Sequence, residues 1–441
     1  MKRLSFLIGL CAAAVAAQAQ EAWSLRRCID YAVENNISVK QIALQRDYQA
    51  LALKTSQLSF TPNLNANLGQ DFSFGRATGN DNITIDKSMG NTTLGITTSM
   101  PIFTGLRITN QIKADKLDLL AATEDLNKAK ENLALQIAGY YLNVLYNKEL
   151  LSIADDQVKI SEAQVKNTEA LVAAGKKSES ELYENKAQMA ADIQSRTEAA
   201  NALQLAILDL CQAINYIDVA DFAVADIDVQ HVLTIELDRL ASPDDAYRYS
   251  LDNRPAIRAS EARVESSLKS LKVAQAGYYP QLNLNAGYNT GYYHLFQGEN
   301  VGFGNQLSNN SSEYVSFSLS IPIFNRMTTT NQVKQARISV LNRQLELENE
   351  KQALLKEIQT AYYNAVAARD RYNAAGQSAE ASRVAFEYEQ AKYENGKSTP
   401  YDFNTAKLRW EKARAQETQA KYEFLFRNKI FAFYNGEQID L

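Results

Sequence analysis

Apolar and polar residues alternate one by one in four short stretches of the chain. The clearest sets Val315, Phe317, Leu319 and Ile321 against Ser316, Ser318 and Ser320. Another sets Leu282, Leu284, Ala286, Tyr288 and Tyr292 against Asn283, Asn285, Gly287, Asn289 and Gly291. A third opposes Leu64, Ala66, Leu68, Phe72 and Phe74 to Asn63, Asn65, Asn67 and Gly69. The faintest opposes Leu94, Ile96 and Met100 to Thr93, Gly95, Thr97 and Ser99. A period of two predicts strands with unlike faces. Pro62 and Pro280 stand where strands begin, and Pro101 and Pro322 where strand should give way to helix. Proline has no ladder donor and turns its predecessor away from helical geometry, so it suits such ends.

Two other stretches carry a helical period. From about Thr104 to Ala174 there is no proline and one interior glycine, Gly139, and Met327 to Asn395 is similar. Some 70 residues at 1.5 Å each make a helix of roughly 100 Å, far beyond the usual dozen residues. Leu151, Ala154, Val158, Ser161, Val165, Thr168 and Val172 follow 4-3-4-3 spacing, a coiled-coil seam of small residues. Leu133, Ile137, Tyr140, Tyr141 and Val144 form a wider stripe, as for a helix with neighbours on two sides. Each long run ends in a turn, Gly175-Lys176-Lys177-Ser178-Glu179-Ser180-Glu181 or Gly396-Lys397-Ser398-Thr399-Pro400-Tyr401-Asp402. Glycine there suits a left-handed helix stop. Ser178 or Thr399 can cap the next helix, with Glu181 or Asp402 at the capping-box position and Pro400 at the first helical residue.

The pattern occurs twice. Pro62-Asn63-Leu64-Asn65 recurs at Pro280-Gln281-Leu282-Asn283, Met100-Pro101-Ile102-Phe103 at Ile321-Pro322-Ile323-Phe324, and Asn110-Gln111-Ile112-Lys113 at Asn331-Gln332-Val333-Lys334. Tyr140-Tyr141 recurs at Tyr362-Tyr363 and Gly175-Lys176 at Gly396-Lys397, always in the same order. Such order identifies an internal duplication. The expected organisation is a leader over 1–19, then a first repeat over 20–216 with strands in about 62–101 and a hairpin over about 104–216. A small accessory region over 217–243, β-branched around Val229–Ile235, links it to a second repeat over 244–435. That repeat has strands in about 280–322 and a hairpin over about 327–435, and a tail over 436–441 follows. Helical stretches at Ser24–Gln57 and Asp244–Gln275 precede the strands of each repeat.

The leader places Lys2 and Arg3 before an apolar core from Leu4 to Val15 and ends in Ala17-Gln18-Ala19, the form of a secretory signal. Its core is too short to span a bilayer, and Cys11 within it is poorly set for a lipid anchor. The net charge of −5 becomes −7 once the two leader cations are lost, which argues against nucleic acid as a partner. Cys28 and Cys211 remain after the leader; they could form one bridge, which is not a disulfide framework.

Beyond the leader no apolar run reaches 18 residues, so a membrane span would have to be built from strands. Segments of about ten residues with one apolar and one small-polar face fit barrel strands, with Phe60, Phe103, Tyr278, Tyr279 and Phe324 at their ends as an aromatic belt. An ordinary antiparallel sheet with one buried face shows the same alternation. The leader, and the lack of a globular core for the sheet to cover, favour lipid. Four strands cannot close, because bacterial barrels start at about eight. An open edge in lipid leaves backbone groups unpaired at several kcal/mol each. Placement in membrane therefore demands oligomerisation, and three copies would give twelve strands.

The duplicated halves, the Pro-Ile-Phe junctions at Pro101 and Pro322, and the two Gly-x-x-Ser/Thr-x-x-acid turns resemble the TolC-type outer-membrane efflux family across essentially the whole mature chain. The resemblance implies a mainly α-helical protein whose long coiled-coil hairpins form a helical barrel, with a four-strand share of a trimeric 12-stranded β-barrel. It implies a homotrimer in the outer membrane with a long periplasmic portion. An equatorial region around 217–243 and the tail would surround its waist. The family has no catalytic activity and no cofactor; it provides the exit duct for an inner-membrane pump reached through a periplasmic adaptor. By the same resemblance Gly175, Lys176, Lys177 and Ser178, with Gly396, Lys397, Ser398 and Thr399, form the adaptor-docking tips. Asp402 and Glu181 are then candidate gate acids as well as capping residues. The best-known member has an arginine where Ser398 stands here, beside Lys397.

Catalysis has little support. His231 and His294 lie in different regions, and no HExxH, phosphate-binding glycine loop or nucleophile elbow occurs. A periplasmic adaptor is the main rival, although it would have one hairpin flanked by glycine-rich β-domains. A coiled-coil scaffold without a channel is the other.

Overall fold

The computed structural model describes residues 22–78, 84–86, 88–227 and 242–439. The leader, His231 and the stretch Val229–Ile235 lie outside the described residues. Nine helices and six strands follow in the described residues, in an order that repeats. The first half runs α1 (Leu25–Asn35), α2 (Ile37–Leu58), β1 (Asn63–Ser73), β2 (Arg76–Thr78), β3 (Thr84–Asp86), β4 (Met89–Phe103), α3 (Arg107–Ala173) and α4 (Glu179–Ile214). The second runs α5 (Pro243–Asn253), α6 (Pro255–Gln275), β5 (Gln281–Leu295), α7 (Phe303–Asn309), β6 (Ser312–Ser320), α8 (Thr328–Glu394) and α9 (Pro400–Tyr434).

The chain divides into two units, each drawing on both halves. One holds residues to Leu44, Asp125–Ile257 and Asn349–Leu441; the other holds Gln45–Glu124 and Arg258–Glu348. In the first unit, helices α1, α3, α4 and α9 enclose a core that includes Leu25, Cys28, Ile137, Tyr141, Leu210, Ile214 and Phe424. Residue Trp23 pairs with the strand-like stretch at Val224: its N–H donates to Ala223 O at 2.8 Å and its carbonyl accepts from Ala225 N at 3.0 Å. The hydroxyl of Tyr141 donates to Trp23 O at 3.1 Å and Ala225 O at 3.2 Å, so the start of the accessory region is pinned by backbone groups. Cys28 and Cys211 are free, buried thiols within this core. Burial, and then the neighbouring Cys211, push the Cys28 thiol up to about 12, and burial takes Cys211 to about 11. Both stay protonated at neutral pH and are poor nucleophiles.

Both predicted long helices are present, each 67 residues. The coiled-coil seam is buried from Ala154 to Thr168, with Leu151 and Val172 half-buried at its ends. Two of the expected shorter helices are broken, however. The stretch Ser24–Gln57 bends at Asn36, whose amide donates to Ala213 O at 3.2 Å and whose Oδ1 caps α2 through Ser38 N at 2.9 Å. An asparagine can end one helix and start the next because its side chain replaces the missing backbone partners. The stretch Asp244–Gln275 breaks at Arg254, since Pro255 excludes its predecessor from helical geometry.

Candidate functional site

The second unit contains one four-stranded antiparallel sheet in the order β1-β4-β5-β6. Its central ladder, β4 with β5, joins the two sequence halves. The registers decide what each face carries, because residues directly opposite one another share a face. On one face Asn63 meets Ser99, Asn65 meets Thr97 and Asn67 meets Gly95. The same rows continue as Ser99 to Asn285, Thr97 to Gly287 and Gly95 to Asn289, then Asn285 to Ser316 and Asn289 to Ser312. The other face stacks Leu68 on Leu94, Ile96 on Tyr288, Leu284 on Phe317 and Leu282 on Leu319. All four strands follow this division, with Thr98 and Glu313 among the polar exceptions on the apolar side and Tyr314, opposite Gly287, an aromatic one on the polar side.

That apolar face has no cover among the described residues. Leu64, Leu68, Phe72, Val315, Phe317, Leu319 and Ile321 are exposed, Phe317 by 70% and Leu64 by 75%. A contiguous patch of this kind marks a membrane or interface surface. Among the described residues, strands β1 and β6 each pair on one side only, so both sheet edges present unpaired backbone groups.

Pro62 and Pro280 immediately precede β1 and β5, and Pro322 lies beyond the end of β6. Pro101 departs from expectation: β4 continues through it to Phe103, with a register shift between the two. An irregularity absorbs the missing donor. The reversal into helix comes later, where Gly105 and Leu106 in one half, and Arg326 and Met327 in the other, adopt left-handed backbone. Three of these four are not glycine, and their strain is held by the surrounding structure. Proline signals strand ends from sequence, whereas left-handed leucine, arginine and methionine carry no local signal.

The hairpin tips lie in the first unit. Gly175 and Gly396 have φ of 70° and 69°. Gly175 N donates to Val172 O at 2.9 Å and Lys176 N to Leu171 O at 2.8 Å; Gly396 N donates to Tyr393 O at 3.0 Å and Lys397 N to Lys392 O at 2.9 Å. Both are Schellman stops, closing the last carbonyls of α3 and α8. Ser178 Oγ accepts from Glu181 N at 3.3 Å, and Thr399 Oγ1 accepts from Asp402 N at 3.1 Å. Lys176 and Lys397 are exposed at equivalent places in the two tips.

The reciprocal half of the capping box is made at neither tip. Asp402 Oδ2 accepts from the Thr399 hydroxyl at 2.6 Å. Glu181 reaches outward: its carboxylate pairs with Lys177 and accepts from Tyr393 Oη at 2.6 Å, across to the end of α8. Lys177 Nζ sits 3.9 Å above the Tyr393 ring. Burial opposes the Lys177 charge, but its bonds with Glu181 and Tyr393 outweigh that and raise its pKa. The first tip is thereby tied to the second hairpin. Phe386, Tyr393 and Phe403, with Trp410 packed on them, form a small apolar core beside the second turn. Ser398 donates to Glu389, and Lys392 lies 3.1 Å from the same carboxylate. Tyr393 is missed by sequence reasoning because one tyrosine on a helix of many aromatics has no local mark.

Further along the hairpins, α9 carries cations every seven residues. Lys421 bonds Glu149 at 2.5 and 2.6 Å, Arg414 lies 3.5 Å from Asp156, and Lys407 lies 2.6 Å from Asp192. Glu149 and Asp156 are themselves seven apart on α3, so a heptad of opposite charges joins the second hairpin to the first. Two of the small seam residues are polar partners: Ser161 donates to Asp192, and Thr168 accepts from Asn185 at 2.9 Å.

A sheet with one apolar exposed face and two open edges, continuous in sequence with two 67-residue helices, has the form of an outer-membrane channel protein. The chain belongs to the outer membrane efflux protein family, whose model matches residues 28–216 and 246–427. It is similar to the outer membrane efflux protein BepC of Brucella suis biovar 1, at 22% identity over 287 residues, 63% of this chain and 57% of BepC. It is also similar to the outer membrane protein TolC of Vibrio cholerae, at 21% identity over 432 residues, 96% of this chain and 93% of that protein. The fold matches that of the Campylobacter jejuni CmeC outer membrane channel with a TM-score of 0.75 and 17% identity, covering 94% of this chain and 86% of CmeC. The outer membrane is therefore its location, and the TolC-type resemblance of the sequence holds.

Proposed function

We propose that three copies of this chain assemble into an exit duct that passively conducts substrates across the outer membrane. An inner-membrane pump delivers them through a periplasmic adaptor. The open edges of β1 and β6 carry the reading: in lipid their unpaired groups are tolerated only if β6 of one copy pairs with β1 of the next. Three copies close twelve strands, with the Asn, Ser, Thr and Gly face lining water and the Leu, Phe and Val face against lipid. The adaptor docks on the tips Gly175–Ser178 and Gly396–Thr399. Purified protein should require detergent, run as a trimer and form pores in planar bilayers. A monomer that dissolves without detergent overturns the reading in favour of an adaptor or scaffold.

The resting duct is held shut at its tips, and it opens by an outward untwisting of the second hairpin. Within each copy the Glu181–Tyr393 bond opposes that movement. Tyr393→Phe removes one hydrogen bond to a charged acceptor, about 1.5–3 kcal/mol, and should raise open probability roughly ten-fold or more. Unchanged gating would remove Tyr393 from this role. Asp402 of three copies rings the entrance and favours cations. Asp402→Asn should shift the reversal potential in a salt gradient toward zero, and an unchanged potential would discard that assignment.

A further inference from the structure

Part-way up the hairpins sits a buried charge cluster that a passive duct does not require. Lys407 on α9 is only 2% exposed. Its Nζ donates to Ser161 Oγ on α3 and to Asp192 Oδ2 on α4, both at 2.6 Å. It also lies 3.4 Å from Glu411 Oε1, one turn further along α9. Ser161 donates to Asp192 as well, and Gln188 Nε2 donates to Asp192 Oδ1 at 2.8 Å. Glu411 Oε1 is buried yet accepts no hydrogen bond. The adjoining void, of about 10 Å³, is too small for more than one water.

One cation thus faces two carboxylates in a dry setting. With both ionised the cluster holds an uncompensated negative charge, and such burial is costly. A proton on Glu411 makes the cluster neutral and leaves the Lys407–Asp192 bond intact. Burial, with repulsion from Asp192 and against the pull of Lys407, pushes the Glu411 carboxyl up to about 6. The charged groups acting on it are Lys407 of its own helix and Asp192 of α4, while α3 brings the neutral Ser161 hydroxyl to the cluster.

Ser161 and Asp192 belong to the first hairpin, Lys407 and Glu411 to the second. We propose that the Lys407–Asp192–Glu411 cluster is a proton-sensitive latch between the hairpins, tightened by acid and eased at neutral pH. The latch rests on the hairpin movement proposed above. A carboxyl that titrates near 6 when packed and near 4.5 when free stabilises the packed state fully below 4.5 and loses that stabilisation as pH rises through 6. If the opened hairpin frees Glu411, the closed-to-open ratio changes by at most about 30-fold across that window.

The test uses full-length trimer and its Glu411→Gln variant, a near-isostere that mimics the protonated acid. Pore opening in planar bilayers and hydrogen exchange over residues 403–414, corrected for intrinsic rates, are measured at pH 5 and 7.5. The wild type should open several-fold more often at pH 7.5, with a matching loss of protection. The variant should show the low-pH behaviour at both values. Equal pH responses in the two proteins, or none in the wild type, overturn the latch. Exchange that follows pH only in the wild type, from a protein that forms no pore, upholds the latch and overturns the duct.

Discussion

Arginine in place of Phe317 is expected to abolish assembly of the protein in the outer membrane. Arginine in place of the adjacent Ser318 should leave assembly intact and alter conduction. Phe317 stands in the exposed apolar row with Leu284, and Ser318 stands opposite Asn283 on the polar face. A cation on the lipid face costs about 2–4 kcal/mol near the bilayer midplane. In the proposed trimer that cost is repeated three times, which exceeds what a marginally stable assembly tolerates. Membrane fractionation and native gels read the outcome. If both variants assemble equally well, the sheet does not face lipid with its Phe317 side, and the channel reading falls with it.

The second large effect is at Lys407. Lys407→Ala leaves Asp192 and Glu411 buried without a cation and is expected to destabilise the hairpins by about 3–5 kcal/mol. The double replacement Lys407→Met with Asp192→Leu should recover most of this loss, because apolar side chains of similar volume fill the site without a desolvation penalty. Glu411 then stays neutral by keeping its proton. Helical melting followed by circular dichroism, with protease resistance as a second measure, distinguishes the two variants. Equal destabilisation in both would show that packing volume, not charge, dominates at this position.

These two positions differ in how legible they are. Phe317 is readable from its neighbours alone, because strand period two places Val315, Phe317 and Leu319 on one side whatever else the chain does. Lys407 is not. A lysine on a helix is ordinarily solvated, and its burial follows only from where α4 brings Asp192. A trace was present: Lys407, Arg414 and Lys421 repeat every seven residues, as do Glu149 and Asp156. The helix breaks at Asn36 and Arg254 divide in the same way. Pro255 announces the second, whereas the first depends on a bond from Asn36 to the distant Ala213 carbonyl.

What the sequence by itself determined is everything set within a few residues: the length of the hairpins, their glycine stops and Ser178 and Thr399 caps, and the polarity of each strand face. Those features arise from backbone geometry and side-chain period, which act locally. Only the tertiary structure decided which side chains meet. Glu181 finds Tyr393 across 212 residues, and Asp192 finds Lys407 across 215. Such pairs depend on separation in space, and a bond a few ångströms long leaves no periodic mark along the chain.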